Sequence, residues 1–291
     1  MKIYINGTFY ERDDAKISVF DHGVLYGDGV FEGIRIYNGR IFKLQEHLER
    51  LRESAHYIML PLHMSLDELT RATIDTVRAN GLRDGYIRMI LTRGVGNLGL
   101  NPFTCQQPQL IIIAATIALY PPELYESGMK IITVPTQRVA GSMLSPRVKS
   151  LNYLNNILAK LEALKAGFEE AVMINHLGFV AECSGDNIFV VKRGVLQTPP
   201  TNMGALEGVT RGVVMELARA QGLRVEEALL TRHDLFCADE CFLTGTAAEL
   251  IAVTGVDHRQ IGDGTPGPIT RQLTAAFREL TQRSGTPVYE E

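Results

Sequence analysis

A chain of 291 residues exceeds one average domain and accommodates two of medium size. With 45% hydrophobic and 21% charged residues the composition is globular, and the longest apolar runs, such as Leu110 to Ala115, are far too short to cross a bilayer. A net charge of −4 without a basic cluster argues against a nucleic-acid surface and leaves a small molecule as the expected ligand.

The N-terminal run Met1 to Gly7 reads as a strand entering a hairpin turn rather than as a signal peptide, so a cytoplasmic protein is expected. Asn6-Gly7 and Asn38-Gly39 are type I′ turn signals. They flank the strands Ile3 to Ile5, Phe9-Tyr10, Val30 to Tyr37 and Arg40 to Phe42. Leu44, Leu48, Leu51, Ala55 and Ile58 form one apolar stripe of a helix that ends before Pro61. A second helix opens on the capping box Ser65-Leu66-Asp67-Glu68, turns Leu69, Ile74 and Val77 inward and stops at Gly81. Tyr86 to Thr92 alternates as a half-buried strand, whereas Leu110 to Ala115 is continuously apolar and suits a strand covered on both faces.

Two prolines in Ala118-Leu119-Tyr120-Pro121-Pro122 predict a linker. The expected organisation is a small α+β domain over 1–117, a linker over 118–127 and a larger β-rich domain over 128–291. The second domain should hold a strand from Lys130 to Val134, then a helix from Tyr153 to Ala166 with Leu154, Ile157, Leu158, Leu161 and Leu164 on its inner face. Short strands follow at Ala171 to Asn175, Phe179 to Ser184, Asn187 to Lys192 and Val195 to Thr198, then a helix from Thr210 to Gln221, a strand from Glu240 to Leu243 and a terminal helix from Pro268 to about Arg283. The four cysteines fit neither a disulfide framework nor zinc spacing and read as buried free thiols; the seven scattered histidines give no support for a metal.

Lys149 lies in Ser145-Pro146-Arg147-Val148-Lys149-Ser150, between a strand and a helix. An amine beside a guanidinium at a helix entrance is set to act as a nucleophile and form a Schiff base, although a single lysine is ordinarily a solvated loop residue. Gly208-Val209-Thr210-Arg211 places amide groups, a hydroxyl and a positive dipole end where an anion can sit, and Thr244-Gly245-Thr246-Ala247-Ala248-Glu249 offers a second such turn; plain N-capping accounts for either one alone. Glu182 falls within an apolar strand, so its carboxylate requires a cation, in a structural ion pair or on a protonated ring nitrogen. Tyr86 and Arg88 share a strand face and together can clamp a carboxylate; the simpler reading is a surface charge.

An imine-forming lysine, a carboxylate for a pyridinium and two turns for a phosphate together describe the demands of pyridoxal 5′-phosphate. The chain resembles the fold-type IV, class IV pyridoxal-phosphate aminotransferases, and within them the branched-chain amino acid aminotransferases, from about Ile3 to Leu280. The resemblance is carried by Tyr26 to Arg35, His47 to Leu51, Tyr86-Ile87-Arg88, Lys149 to Tyr153, Glu182 to Phe189, Glu207 to Arg211 and Gly245 to Glu249. It implies that Lys149 holds the cofactor covalently and shuttles the proton between Cα and C4′, that Tyr153 bonds the phenolic oxygen and that Glu182 pairs with the pyridinium nitrogen. Arg50, Val209, Thr210 and Thr246 are implied as phosphate ligands. Tyr26, Phe31, Tyr86 and Arg88 would line the substrate side, with Arg88 on the distal carboxylate of glutamate and the Thr246-Ala247 turn on the α-carboxylate.

The resemblance further implies an α+β fold with the cofactor in a cleft between a small N-terminal and a larger β-rich domain. The implied reaction is transamination of L-leucine, L-isoleucine and L-valine with 2-oxoglutarate, in a homodimer or an assembly of dimers whose Gly94 to Pro102 loop reaches a neighbouring site. A D-amino acid aminotransferase, an aminodeoxychorismate lyase or an amine transaminase on the same fold are the alternatives. A non-catalytic phosphate-ligand-binding protein is the reading from another class.

Overall fold

The computed structural model describes residues 1–117 and 120–289. They divide into two compact units. One holds the chain up to Ile117 together with Val148–Asn152 and the segment from Thr281; the other runs to Arg147 and continues over Tyr153–Leu280. The first unit therefore takes in Lys149 and its neighbours, although they follow the expected linker in the chain.

In the first unit the elements are β1 (Lys2–Ile5), β2 (Thr8–Glu11), α1 (His22–Tyr26), β3 (Gly29–Tyr37), β4 (Arg40–Ile41), α2 (Leu44–Tyr57), α3 (Leu66–Ala79), β5 (Gly85–Thr92) and β6 (Gln109–Ala115). The strands form an antiparallel sheet in the order β4-β3-β5-β6-β1-β2, with the C-terminal strand Thr286–Pro287 on its β4 edge. Both Asn-Gly turns have positive φ at their two residues, as type I′ hairpins require. The predicted stripe of α2 is buried: Leu44, Leu48, Leu51 and Ala55 join Ile34, Ile36, Ile87, Met89 and Ile112 in one core. The capping box of α3 is formed, with Ser65 Oγ accepting from the Glu68 amide and Glu68 accepting from the Ser65 amide.

In the second unit follow α4 (Pro122–Ser127), β7 (Met129–Thr133), α5 (Leu154–Lys165), β8 (Glu170–Ile174), β9 (Val180–Cys183), β10 (Asn187–Lys192), β11 (Val195–Thr198), α6 (Val209–Ala220), β12 (Arg224–Glu227), α7 (Arg232–Phe236), β13 (Glu240–Gly245), β14 (Glu249–Val256), β15 (Arg259–Gln260) and α8 (Pro268–Arg283). Its sheet is mixed, in the order β12-β11-β10-β13-β14-β7-β8-β9 with β15 on β14. The parallel pairs are β11 with β12, β14 with β7 and β7 with β8. α5 supplies the crossover that parallel β7 and β8 need.

Several expectations are corrected here. Of the proposed linker, Ala118 and Leu119 lie outside the described residues, Tyr120 is buried in a core and Pro122–Ser127 is a helix. Proline at the first helical position lacks only an amide that has no partner there, so the pair opens a helix instead of halting structure. Leu154, Ile157, Leu158, Leu161 and Leu164 do not face inward: they are 46–65% exposed, and α5 buries Asn156, Ala159 and Ala163 instead. The two alanines let the helix lie close against Val134, Phe168 and Met173, which an aliphatic face could not do. The turn around Thr246 is no helix entrance but a hairpin joining β13 to β14, with Gly245 opposite Glu249. β14 itself was not anticipated, although its residues include Ile251, Val253, Thr254 and Val256. All four cysteines are free, yet Cys237 is exposed and Cys105 half-buried. Among the described residues no helix is long and apolar enough to cross a membrane.

Replacing Ser65 with alanine removes the cap of α3 while touching no core contact. Denaturant unfolding should show a loss of about 1 kcal/mol; an unchanged midpoint would contradict the capping account.

Candidate active site

Strand alternation sorts the first unit's functional side chains. On β3, Val30, Glu32, Ile34 and Ile36 share one face and are buried, while Phe31, Gly33 and Arg35 share the other, where Phe31 and Gly33 are also buried and Arg35 is half-buried, and β5 adds the half-buried Tyr86 and Arg88 to that second face. Arg88 lies over the Phe31 ring at 4.6 Å, and its Nη2 donates to Tyr86 Oη at 3.3 Å. Gly33 makes this possible, because a Cβ there would fall 1.8 Å from the Tyr86 hydroxyl. The expected pairing of Tyr86 with Arg88 on one face is present.

Lys149 is not at a helix entrance. It sits on a short extended segment against β3, where the Phe31 amide donates to its carbonyl at 2.9 Å, Ser150 bridges to Val30 and its own amide donates to Ser54 Oγ at 3.1 Å. Its amine nitrogen lies over the Phe31 ring, 4.5 Å from the centroid. The neighbouring Arg147 is engaged in an exposed pair with Glu207 at 2.7 Å. Lys149, Phe31, Tyr86 and Arg88 are thus brought together. Tyr26 does something else: its hydroxyl donates to the Leu98 carbonyl and its ring packs edge-on to His22, whose Nε2 donates to the Asn97 carbonyl at 2.8 Å. These two side chains brace the Gly94 to Pro102 loop.

Behind that face Glu32 has no exposure to water. Arg50 donates to both its oxygens, from Nε at 2.7 Å and Nη2 at 2.8 Å, and His47 Nδ1 donates at 2.7 Å. Burial pushes the carboxyl pKa up, but Arg50 and then His47 outweigh it and hold Glu32 well below the usual carboxylate range. Burial also keeps the His47 imidazole below its ordinary value, against the pull of Glu32. Arg50, expected to turn toward a phosphate, spends two of its nitrogens on this carboxylate.

The second unit carries the other candidates. Glu182 is nearly buried, and the cation it needs is Arg138, which the sequence reading missed. Arg138 Nη2 meets Oε1 at 2.7 Å, while its Nε donates to the Gly204 carbonyl and its Nη1 to Asn156 Oδ1. Glu182 Oε2 accepts from Asn187 Nδ2 at 3.1 Å and the Leu206 amide at 2.8 Å. Val209 and Thr210 are the first residues of α6, whose N-cap Gly208 provides no side-chain bond to the first-turn amides. Tyr153 is the half-buried N-cap of α5. Thr246 and Ala247 lie half-buried in the β13–β14 turn.

Beneath that turn is a buried acidic cluster. A Cβ on Gly245 would fall 2.1 Å from Asp186 Oδ1. Tyr120 Oη donates toward both Asp186 and Glu170, each at 3.3 Å. Glu170 also accepts from Lys160 at 3.1 Å and from the Ser184 and Ala171 amides. Burial first and then Glu170 push the Asp186 pKa up to about 7 against the opposing effects of Tyr120 and Lys160, with Glu182 adding to the rise. Glu32, with its apolar strand neighbours at period two, carried the same signal that was read for Glu182; nothing in the spacing of Arg138 marks it, because its partners come from distant segments.

The model of the class IV amino-transferases matches residues 29–256. The chain belongs to that family. It is 49% identical over 291 residues, the full length of both chains, to a Methanocaldococcus jannaschii protein named provisionally as a branched-chain-amino-acid aminotransferase. The Escherichia coli branched-chain amino acid aminotransferase structure matches with a TM-score of 0.94 at 36% identity, covering 100% of this chain and 96% of that one. The branched-chain amino acid aminotransferase from Thermobaculum terrenum, in its PLP-bound holo form, matches with a TM-score of 0.89 at 34% identity, covering 97% and 94%.

Because the Asp186 pKa is raised, the folded state is the better proton binder from the ordinary carboxylate range up to about 7. This group's contribution is fully present below that window and declines as pH rises through it, by up to about 1.4 kcal/mol per pH unit. Asp186→Asn keeps the shape without titrating. Unfolding followed across the window should show the wild type losing stability relative to the variant as pH rises; parallel curves would contradict the raised pKa.

Proposed function

We propose that the chain is a pyridoxal-phosphate-dependent aminotransferase that exchanges the amino group of L-leucine, L-isoleucine and L-valine with 2-oxoglutarate, giving the branched-chain 2-oxo acids and L-glutamate. The observation that carries this reading is the second face of the first unit's sheet, where the Lys149 amine and the Arg88 guanidinium both lie over the buried Phe31 ring. Such a face offers apolar contact to a branched aliphatic side chain and a charge to the distal carboxylate of glutamate. The family relationship and the full-length likeness to branched-chain enzymes support it.

The donor set fits the cofactor: a lysine amine for its aldehyde, a nearly buried carboxylate held by Arg138 for its ring nitrogen, and the first-turn amides of α6, without a side-chain cap, for its phosphate. When bound, the cofactor supplies an electron sink that makes the substrate Cα–H acidic. Lys149 takes the proton from Cα and returns it on the other side of the exchange. Glu182, its charge balanced by Arg138, holds a proton on the ring nitrogen. Tyr153 donates to the phenolic oxygen. Val209, Thr210 and Thr246 bind the phosphate, and Arg50 adds charge there while remaining paired to Glu32. Ala247 in its turn receives the α-carboxylate, and Tyr86 with Arg88 orients the second carboxylate of glutamate.

The assembly proposed is a homodimer or a group of dimers. Its support is the stripe of exposed leucine and isoleucine along α5, a surface that a two-fold contact would bury against its own copy. Leu98 and Leu100 at the tip of the braced loop are likewise exposed and would give apolar wall to a neighbouring site. A cytoplasmic setting goes with this reading, supported by four free thiols.

Lys149→Ala should abolish transamination, measured by single-turnover absorbance with L-leucine; substantial residual turnover would remove Lys149 from its role. Arg88→Ala should cost glutamate and 2-oxoglutarate roughly 1.5 to 3 kcal/mol more in kcat/KM than it costs L-valine, and equal losses would refute the carboxylate assignment. The double variant Leu158→Glu, Leu161→Glu should shift the particle to monomer in light scattering. An unchanged mass would take α5 out of the interface. D-alanine, rather than L-leucine, converting the chromophore would favour the D-amino acid reading.

A further inference from the structure

Gly208 stands directly before α6 with φ −69° and ψ 131°, an extended conformation open to any L-residue. Conformation therefore does not demand a glycine. Space does: a Cβ at Gly208 would fall 2.0 Å from Asn187 Oδ1. The Asn187 side chain belongs to a residue only 6% exposed, and its Nδ2 donates to Glu182 Oε2 at 3.1 Å and to the Leu206 carbonyl at 3.0 Å. Both are acceptors, so only the amide nitrogen can face them, which turns the amide oxygen onto Gly208. The Leu206 amide donates to the same carboxylate oxygen at 2.8 Å. The peptide groups flanking Leu206 are thus held on both sides, by Asn187 and by Glu182. Two residues earlier Arg138, already paired with Glu182 Oε1, takes the Gly204 carbonyl at 2.9 Å. The segment Gly204 to Gly208 is clamped along its length by one carboxylate and its two partners.

We propose that Asn187 is a positioning residue that locks the Glu182 carboxylate to the start of α6, so that the ring-nitrogen partner and the phosphate-binding amides move as one piece. The inference rests on the cofactor reading above and deepens it. Glu182 and the α6 amides would serve two groups carried by one molecule, the ring nitrogen and the phosphate, so their mutual placement sets how well both are satisfied at once. Gly208 is the other half of the device, since only a residue without a Cβ lets the amide approach.

The test compares binding of pyridoxal 5′-phosphate and of pyridoxal, which lacks the phosphate, to the apo form of the full chain, followed by absorbance. Thermal unfolding of each variant checks that it folds. In Asn187→Ala the preference for the phosphorylated compound should fall on the order of tenfold, the scale of a lost hydrogen bond to a charged group. Gly208→Ala, which leaves the amide in place but forces it aside, should fall similarly. The double variant should lose no more than Asn187→Ala alone, because the 2.0 Å clash with the amide is gone and the remaining close neighbour, Arg211 Cβ at 3.2 Å, is met by a small shift. If Asn187→Ala does not fold, Gly208→Ala must still show the loss, and its combination with the smaller Asn187→Ser must recover part of it. An unchanged preference in folded single variants, or additive losses in the double, would overturn the proposal while leaving the cofactor reading intact. A wild type that binds neither compound overturns that reading and this inference with it.

Discussion

A carboxylate without exposure to water, Glu32, decides how β3 meets α2. Its charge is tolerable only because Arg50 and His47 reach it from the same helix, and removing one partner of such a pair costs about 3–5 kcal/mol, since the other charge is left buried. Side chains alternate along a strand, so pinning Glu32 inward pins Phe31 and Gly33 outward. A slip of one residue would carry the charge to the face that now holds Phe31 and send Phe31 into the helices. The face on which Phe31, Tyr86, Arg88 and Lys149 meet is therefore a consequence of an ion pair on the opposite side of the sheet.

The second unit solves a similar problem in a similar way. Glu182 is nearly buried on β9 and is matched by an equally buried guanidinium, Arg138, from the segment after β7. What differs is the use of the surplus donors. Arg50 turns Nε and Nη2 onto one carboxylate, whereas Arg138 divides its nitrogens among Glu182, Asn156 and the Gly204 carbonyl. That division ties α5, β9 and the approach to α6 together. Close packing does the rest at two glycines, where Asn187 lies against Gly208 and Asp186 against Gly245, so that the turns that carry Thr210 and Thr246 rest on buried polar side chains.

Apolar surface tells the complementary story. α5 has two faces: one of small residues that seats it on β7 and β8, and one of leucines and isoleucine that stays 46–65% exposed. Periodicity sees both as a helix but cannot say which is the inside. The larger apolar residues were the natural candidates for a core, yet the close approach of the helix to the sheet selects Ala159 and Ala163. The self-association proposed above would bury those exposed aliphatic side chains.

Local patterns settled much by themselves. Both Asn-Gly hairpins, the capping box at Ser65, the buried stripe of α2 and the bounds of α8 depend on residues a few positions apart, and short-range sterics and hydrogen bonds decide them. The face shared by Tyr86 and Arg88 follows from alternation alone, and the need of Glu182 for a cation follows from an apolar neighbourhood. The family was legible because its motifs Tyr26 to Arg35, Lys149 to Tyr153 and Glu182 to Phe189 are contiguous. Tertiary structure decided what contiguity cannot: that Arg138 answers Glu182, that Arg50 answers Glu32, that the Thr246 turn joins two strands, and that Lys149 rides on an extended segment beside β3. Except for the Thr246 turn, which is a local hairpin, each of these is a contact between residues far apart in the chain, and which distant groups meet is set by packing and by the desolvation of charge, neither of which has a local signature.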